Sequence, residues 1–349
     1  MDRRPGLDRR RLTDLMRAAI DRCALDLSGL TVLTEAASGA YVVTPVIAAM
    51  AGAKVLAVTK STRYGSADEI RAATLDLAGD VSNRIEIADV RNLDVVRQAD
   101  IVTNSGHVRP INAEMIAAMK PGAVLSLMYE AWEYREDDLD LKACRDRQVL
   151  VAATNERHPN VDVFSFLGPM AVRMMHDAGV SAYRSSVLLL CDNPFRPFME
   201  AGLRAAGAMV ETVARVPDAR GTKFDAIVVS LTPGRQAVLN AEDAWIIAHR
   251  WPGAVVGQFW GDIDREALAA EGVPTWPREA PGLGHMGILL SDLGPESIVR
   301  LQTGGLKAAE SLWRQAAGQS NVDMAYVEVM LGYAAVPQTA RGGHWRESY

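Results

Sequence analysis

The sequence predicts an α/β fold of two doubly wound, Rossmann-like domains with a cleft between them. Three observations lead there. Short apolar runs alternate with helical stretches along most of the 349 residues, the pattern of successive parallel βα units. The alternation pauses after a helix ending near Ala178 and restarts at Ser186. A chain of 349 residues also exceeds the usual size of one domain. The expected division is an N-terminal dinucleotide-binding domain over 1–160, a linker helix over 161–185 and a second, substrate domain over 186–290. Crossing and C-terminal helices follow over 291–335, with a loose tail over 336–349.

Leu12, Leu15, Met16, Ala19, Ile20 and Cys23 fall at helical spacing and predict an amphipathic helix over 12–26. Thr31 to Thr34 is the first strand, leading into a small-residue loop from Glu35 to Tyr41. Thr44-Pro45 reads as the next helix start, with threonine as N-cap and proline at the first position, where no N–H is missed. Gly52 closes that helix, and Lys54 to Val58 is the second strand. Ser66 and Glu69 fit a capping box for a helix running to Gly79. A third strand over 84–88, a short helix over 92–98, and strands on either side of 120 and over 149–153 complete the first domain.

The second half repeats the alternation, with strands near 187–191, 209–213, 225–231, 254–259 and 273–276, and no glycine fingerprint. A long helix from Pro295 to about Gln315 is expected to cross back to the first lobe. Gly304-Gly305 inside it costs about 1 kcal/mol per glycine relative to alanine, which close packing can offset. A last helix is expected over 321–333, with a polar tail from Pro337.

Composition narrows the function. Net charge is −6, which argues against a nucleic-acid surface. Cys23, Cys144 and Cys191 are scattered in apolar settings and read as reduced core thiols. No apolar run is long enough to span a membrane. The N-terminal arginines have no apolar segment behind them, so a secretory signal is not expected and the protein reads as cytoplasmic. The histidines are dispersed and suggest no metal site. A homo-oligomer that takes a small polar molecule is the expected form.

Residues 99–143, ADIVTNSGHVRPINAEMIAAMKPGAVLSLMYEAWEYREDDLDLKA, have a recognisable order. A strand ends in a small polar turn, a helix carries the phrase AAMKPGAV, and another strand leads to an acidic loop. With the lead-in helix, the stretch from about 12 to 155 resembles the NAD domain of the adenosylhomocysteine hydrolase and D-2-hydroxyacid (formate/glycerate) dehydrogenase group. The glycine fingerprint departs from that pattern: Ala36, Ser38 and Tyr41 stand where glycines would, and Gly39 is the one glycine of the loop.

Ligands of open α/β sheets bind outside the carboxyl ends of the strands. That rule selects Ser38, Gly39, Ala40 and Tyr41, then Thr59, Lys60, Ser61 and Arg63, and Asn104, Ser105, Gly106 and His107 as cofactor-binding candidates. Arg109, Glu156 and His158, with Asp192, Arg196 and Trp260 of the second half, are substrate-binding candidates. After the second strand an NAD site carries an acidic residue for the ribose 2′-hydroxyl. Thr59-Lys60-Ser61-Thr62-Arg63 offers cations and hydroxyls instead, which favours NADP over NAD. His285 lies in a glycine-flanked loop where members of the resembled group often carry a histidine, and an imidazole there can move a proton to or from a substrate oxygen. A loop histidine that merely hydrogen-bonds is the alternative. Glu130, after a strand, is the candidate to orient it, or else an exposed carboxylate.

The function these features imply is an NAD(P)-dependent oxidoreductase, or a relative using bound cofactor transiently, acting on a small polar alcohol or ketone. A Rossmann-like transferase using adenosylmethionine or a nucleotide sugar, and a non-catalytic nucleotide-binding module, remain as alternatives.

Overall fold

A computed structural model describes residues 4–89 and 92–328. Its first elements are α1 (Arg9–Cys23), β1 (Thr31–Glu35), α2 (Val43–Met50), β2 (Lys54–Val58), α3 (Ala67–Ala78) and β3 (Ile85–Ala88). Next come α4 (Leu93–Gln98), β4 (Ile101–Thr103), α5 (Ala113–Ala118), β5 (Val124–Ser126), α6 (Leu141–Asp146) and β6 (Leu150–Thr154). They are followed by α7 (Leu167–Asp177), β7 (Ser186–Cys191), α8 (Arg196–Ala205), β8 (Met209–Val213), β9 (Ala226–Ser230) and α9 (Ala241–Arg250). The last are β10 (Val255–Trp260), α10 (Arg265–Ala270), β11 (Thr275–Trp276), α11 (Pro295–Ala316) and β12 (Val327–Glu328). The described residues fall into two units: those up to Val163 together with those from Gly294 on, and Phe164–Leu293.

In the first unit the strands lie in the order β3-β2-β1-β4-β5-β6-β12. The first six are parallel, and β12 runs antiparallel to β6. Leu33, Leu56, Val102, Leu125 and Val151 come into register across five strands. They form one apolar row, because alternate residues of a strand share a face. Val96 of α4, Met115 and Ile116 of α5 and Cys144 of α6 cover that row. The strand order reverses between β1 and β4, which leaves a crevice at their carboxyl ends.

Most helix starts follow the local rules. The side chains of Asp8, Asn92, Asn112 and Asp140 cap α1, α4, α5 and α6, and Ser66 with Glu69 forms the expected capping box of α3. The start of α2 differs from expectation. A 3₁₀ turn over Gly39–Val42 precedes it, the helix begins at Val43, and Thr44 is not its N-cap. Thr44 is fully buried, and its hydroxyl donates to Tyr41 O (3.2 Å) and Gln302 Oε1 (3.0 Å). Burial against α11 claims the hydroxyl before the helix end can.

Helix α11 packs on β5, β6, α1 and α2. A Cβ on Gly304 would lie 2.7 Å from Val161 Cγ1, and one on Gly305 2.6 Å from Met128 Sδ. Ser126 Oγ donates to Gly305 O at 2.9 Å. The two glycines let a helix backbone touch the sheet. The helix expected over 321–333 is absent from its described part, where a 3₁₀ turn over Met324–Tyr326 leads into β12. The open edge of β6 captures the segment: Asn155 N donates to Tyr326 O (2.9 Å) and Asn155 Nδ2 to Ala325 O (2.8 Å). Residues 329–333 and the tail over 336–349 lie outside the described residues.

The second unit has five parallel strands in the order β8-β7-β9-β10-β11. Counted within the unit this is 2-1-3-4-5, the other common doubly wound order. Helix α7, expected as part of a linker, packs within this unit against α8. The two cross at Gly168 and Gly202, where a Cβ on Gly168 would lie 2.7 Å from the Gly202 Cα. Among the described residues no helix is long and apolar enough to cross a membrane.

Candidate active site at the carboxyl ends of the first sheet

The loop after β1 is made of small residues because its backbone turns tightly into α2. Ala36 and Ala40 are buried, and Gly39 has φ +64°, the left-handed region that glycine adopts without strain. Neither Ser38 nor Val42 makes a side-chain cap. The first N–H groups of the turn, which have no intrahelical acceptor, are therefore left without a capping oxygen. Thr59 follows β2, fully buried, and its hydroxyl has no hydrogen-bond partner among the described residues. Lys60, Ser61 and Arg63 are exposed. Ser61 Oγ accepts from Ala67 N (3.0 Å), while the Arg63 guanidinium lies 4.7 Å from the Tyr64 ring centroid.

The turn after β4 knits itself to β1 and β5. Thr103 Oγ1 donates to Thr34 Oγ1 (2.8 Å) and lies 2.7 Å from Ser105 Oγ. Asn104 Nδ2 donates to the Tyr129 hydroxyl (2.6 Å), while its buried Oδ1 has no partner among the described residues. Arg109 Nε donates to Asn104 O and its Nη1 pairs with Asp138, both at 2.9 Å. His107 N donates to Glu35 Oε2 (2.9 Å), and Gly106 lies against the same oxygen. Burial holds the His107 imidazole below its ordinary pKa, although Glu35 pulls the other way.

Beyond β5 and β6 the carboxyl ends carry a cluster of acids. Glu130 accepts from Arg157 Nε through Oε1 (3.1 Å) and from Trp132 Nε1 through Oε2 (2.8 Å). Among the described residues, Arg157 and Trp132 are the side chains that hydrogen-bond to Glu130. Glu328 of β12 takes Arg157 Nη2 (3.2 Å) and accepts from Ala131 N (2.7 Å). Glu133 and Glu156 are close enough to shift one another, and Arg135 pulls the Glu133 carboxyl down against its burial. Burial, first, and the neighbouring carboxylates raise Glu130 to about 7 and hold Glu156 well above the usual carboxylate range. Tyr41 borders the same cluster, its phenol pushed up to about 12 by burial and then by Glu35 and Glu133. His158 stands apart: it stacks on Tyr326 at 3.8 Å and accepts from Asn160 N through Nδ1.

In the second unit, Asp192 ends the β7 turn and accepts from Thr232 N (2.9 Å) and Oγ1 (3.1 Å). Arg196 points along the exposed side of α8 to Glu200 (2.9 Å). Trp260 donates to Gly284 O (3.1 Å), and Asp262 accepts from Gly284 N (3.1 Å). These two bonds tie down the turn that carries the exposed His285, whose N–H closes on Gly282 O at 2.9 Å.

Sequence reasoning passed over Tyr129, Glu133 and Glu328. The one signal for Glu133 was its spacing from Glu130 just past a strand; nothing local marked Glu328. Among the described residues no group of three or more His, Cys, Asp and Glu could hold a metal ion.

No family model matches the sequence, and no curated protein does. Solved structures do. A dipicolinate synthase chain from Bacillus subtilis matches with a TM-score of 0.57 and 11% identity over 85% of this chain and 100% of that one. A dipicolinate synthase chain from Bacillus halodurans gives 0.53 and 12% over 84% and 99%. A D-lactate dehydrogenase from Treponema pallidum gives 0.51 and 12% over 82% and 97%. At these identities the likeness is one of fold. The chain has the fold of the D-2-hydroxyacid dehydrogenases, as the resemblance in its sequence implied.

Proposed function

We propose that this protein is an NAD(P)-dependent oxidoreductase acting on a small polar molecule. The observation that carries the reading is the crevice at the β1/β4 reversal, where an uncapped helix start, a left-handed Gly39 and the unpartnered Asn104 Oδ1 come together. A pyrophosphate suits the N–H groups of such a turn, and a buried orphan acceptor suits a carboxamide or hydroxyl donor. These residues fit a dinucleotide. When bound, it would exchange a hydride with the substrate.

The chain's own residues would do the rest. Ser38 to Tyr41 bind through backbone N–H groups. Lys60 and Arg63, both exposed beyond β2, receive a 2′-phosphate where no carboxylate intervenes between Thr59 and Arg63. His285 is the residue we assign to move the proton at the substrate oxygen, because its loop is held by Trp260 and Asp262 while its ring is exposed.

Calorimetric titration with NADPH and NADH, repeated on Arg63→Ala, tests the reading. NADPH should bind at least about tenfold more tightly, since one charge-assisted contact is worth roughly 1.5–3 kcal/mol, and Arg63→Ala should remove most of the difference. Equal affinities would refute the NADP preference. Binding of neither would refute the dinucleotide, and stabilisation by adenosylmethionine alone would favour a transferase.

A further inference from the structure

The tight turn after β2 presents an aromatic ring to solvent. Thr62 and Gly65 close the turn with paired backbone bonds, Thr62 N to Gly65 O (2.9 Å) and Gly65 N to Thr62 O (3.3 Å). Tyr64 N donates to Thr62 Oγ1 (3.1 Å), and Ser61 Oγ accepts from Ala67 N at the start of α3 (3.0 Å). Arg63 and Tyr64 form the tip. Among the described residues, Tyr64 is the one large apolar side chain of the first unit that stands exposed, at 64%. An aromatic side chain on a turn tied in this way loses little freedom when a partner stacks on it.

The surroundings of the ring restrict what that partner can be. The Arg63 guanidinium lies over the ring, 4.7 Å from its centroid. Tyr64 borders a largely apolar groove lined by Ala37, Ser38, Val42, Ile70 and Ala73, between the loop after β1 and the first turns of α3. Ser38 thus belongs both to this groove and to the uncapped helix start that suits a pyrophosphate. Glu69, the acid at the groove, is taken up by Ser66 N (2.8 Å) and Ser66 Oγ (3.0 Å), and Asp68 pairs with Arg71 (2.8 Å). Among the described residues Lys60 and Arg63 make no ion pair with a carboxylate, so the turn carries two uncompensated cations. An exposed ring, an apolar groove and two such cations together suit a planar heterocycle that carries phosphate.

We propose that Tyr64 is the platform on which the purine base of the bound nucleotide stacks, the base lying along the groove and its phosphates beside Lys60 and Arg63. The dinucleotide rests on the reading above; Tyr64 and the groove are additions to it. Stacking on Tyr64 adds affinity for the adenosine half of the ligand, because a purine offers a π-face and a bare phosphate offers none.

The full chain is titrated by calorimetry with adenosine 2′,5′-bisphosphate, inorganic pyrophosphate and NADPH at constant ionic strength, as wild type, Tyr64→Phe and Tyr64→Ala. Wild type should bind the adenosine bisphosphate at least about tenfold more tightly than pyrophosphate, which has phosphates and no base. Tyr64→Ala should weaken the adenosine bisphosphate and NADPH by about tenfold each and leave pyrophosphate unchanged. Tyr64→Phe, which keeps the ring and loses the hydroxyl that Arg63 Nη2 bonds, should behave as wild type. Undiminished binding of the adenosine bisphosphate by Tyr64→Ala, or an equal loss for pyrophosphate, overturns the proposal. So does wild type that binds pyrophosphate as tightly as the adenosine bisphosphate, a comparison that needs no variant to fold. NADPH failing to bind while the adenosine bisphosphate binds through Tyr64 would sink the dinucleotide and keep the platform; binding of none of the three would sink both.

Discussion

Raising the pH through neutrality should destabilise the first unit, and Glu130→Gln should blunt the effect. Glu130 is 2% exposed, and burial together with Glu328 lifts its carboxyl from 4.5 to about 7 against the pull of Arg157 and Trp132. The folded chain therefore holds this proton more tightly than the unfolded one does. Its contribution to stability is full below about 4.5 and is lost as the pH climbs through about 7. At 1.36 kcal/mol for each pH unit between those values, the loss is about 3 kcal/mol for one such group. Glu133, also raised to about 7, and Glu156 share the surroundings, so the three do not add independently. For a unit of this size about 3 kcal/mol lowers the thermal midpoint by roughly 5–10 °C. Calorimetry on wild type and Glu130→Gln between pH 5 and 8 reads it directly. Glutamine keeps the volume and cannot ionise, so the midpoint should fall less with pH in the variant. A wild-type midpoint that is flat or rises over this range, or a variant with the same slope, would refute the reasoning.

Other substitutions probe separate parts. Gly305→Ala gains about 1 kcal/mol of helix propensity but places a Cβ 3.1 Å from the Met128 backbone, where side-chain rotation gives no relief. Overpacking of about 1–3 kcal/mol should win, and a denaturant midpoint at or above wild type would contradict it. Gly202→Ala should destabilise the second unit for the same reason at the α7/α8 crossing, with a normal m-value; unchanged stability would mean the helices can separate at small cost. With a substrate in hand, His285→Gln should lower turnover by about 100- to 10,000-fold while leaving nucleotide affinity nearly unchanged. Near-normal turnover would return His285 to a structural role.

The parts of the fold that were legible in the sequence are those decided locally. Ser66 with Glu69 wrote its own helix start, and the apolar runs at Val55–Val58 and Val187–Cys191 could be little else than buried parallel strands. Thr44 misled because its environment is set by Gln302, 258 positions away, and a buried hydroxyl takes the partner it meets. The segment after Asn321 misled for a related reason. Its helical spacing was real, but the unpaired edge of β6 offered backbone hydrogen bonds that a short, isolated helix could not match.

The candidate site divides along the same line. Ser38 to Tyr41, Asn104 to Arg109 and Glu156 could be found from strand ends alone, because the sheet fixes where strand ends go. What those ends do chemically could not. Glu130 reads as an ordinary exposed carboxylate until Arg157 arrives from beyond β6 and Glu328 from 171 positions past that arginine. Only then is it buried, and only burial raises its pKa. Charge count along the chain shows how many acids there are; which of them lack a cation is a property of three-dimensional pairing.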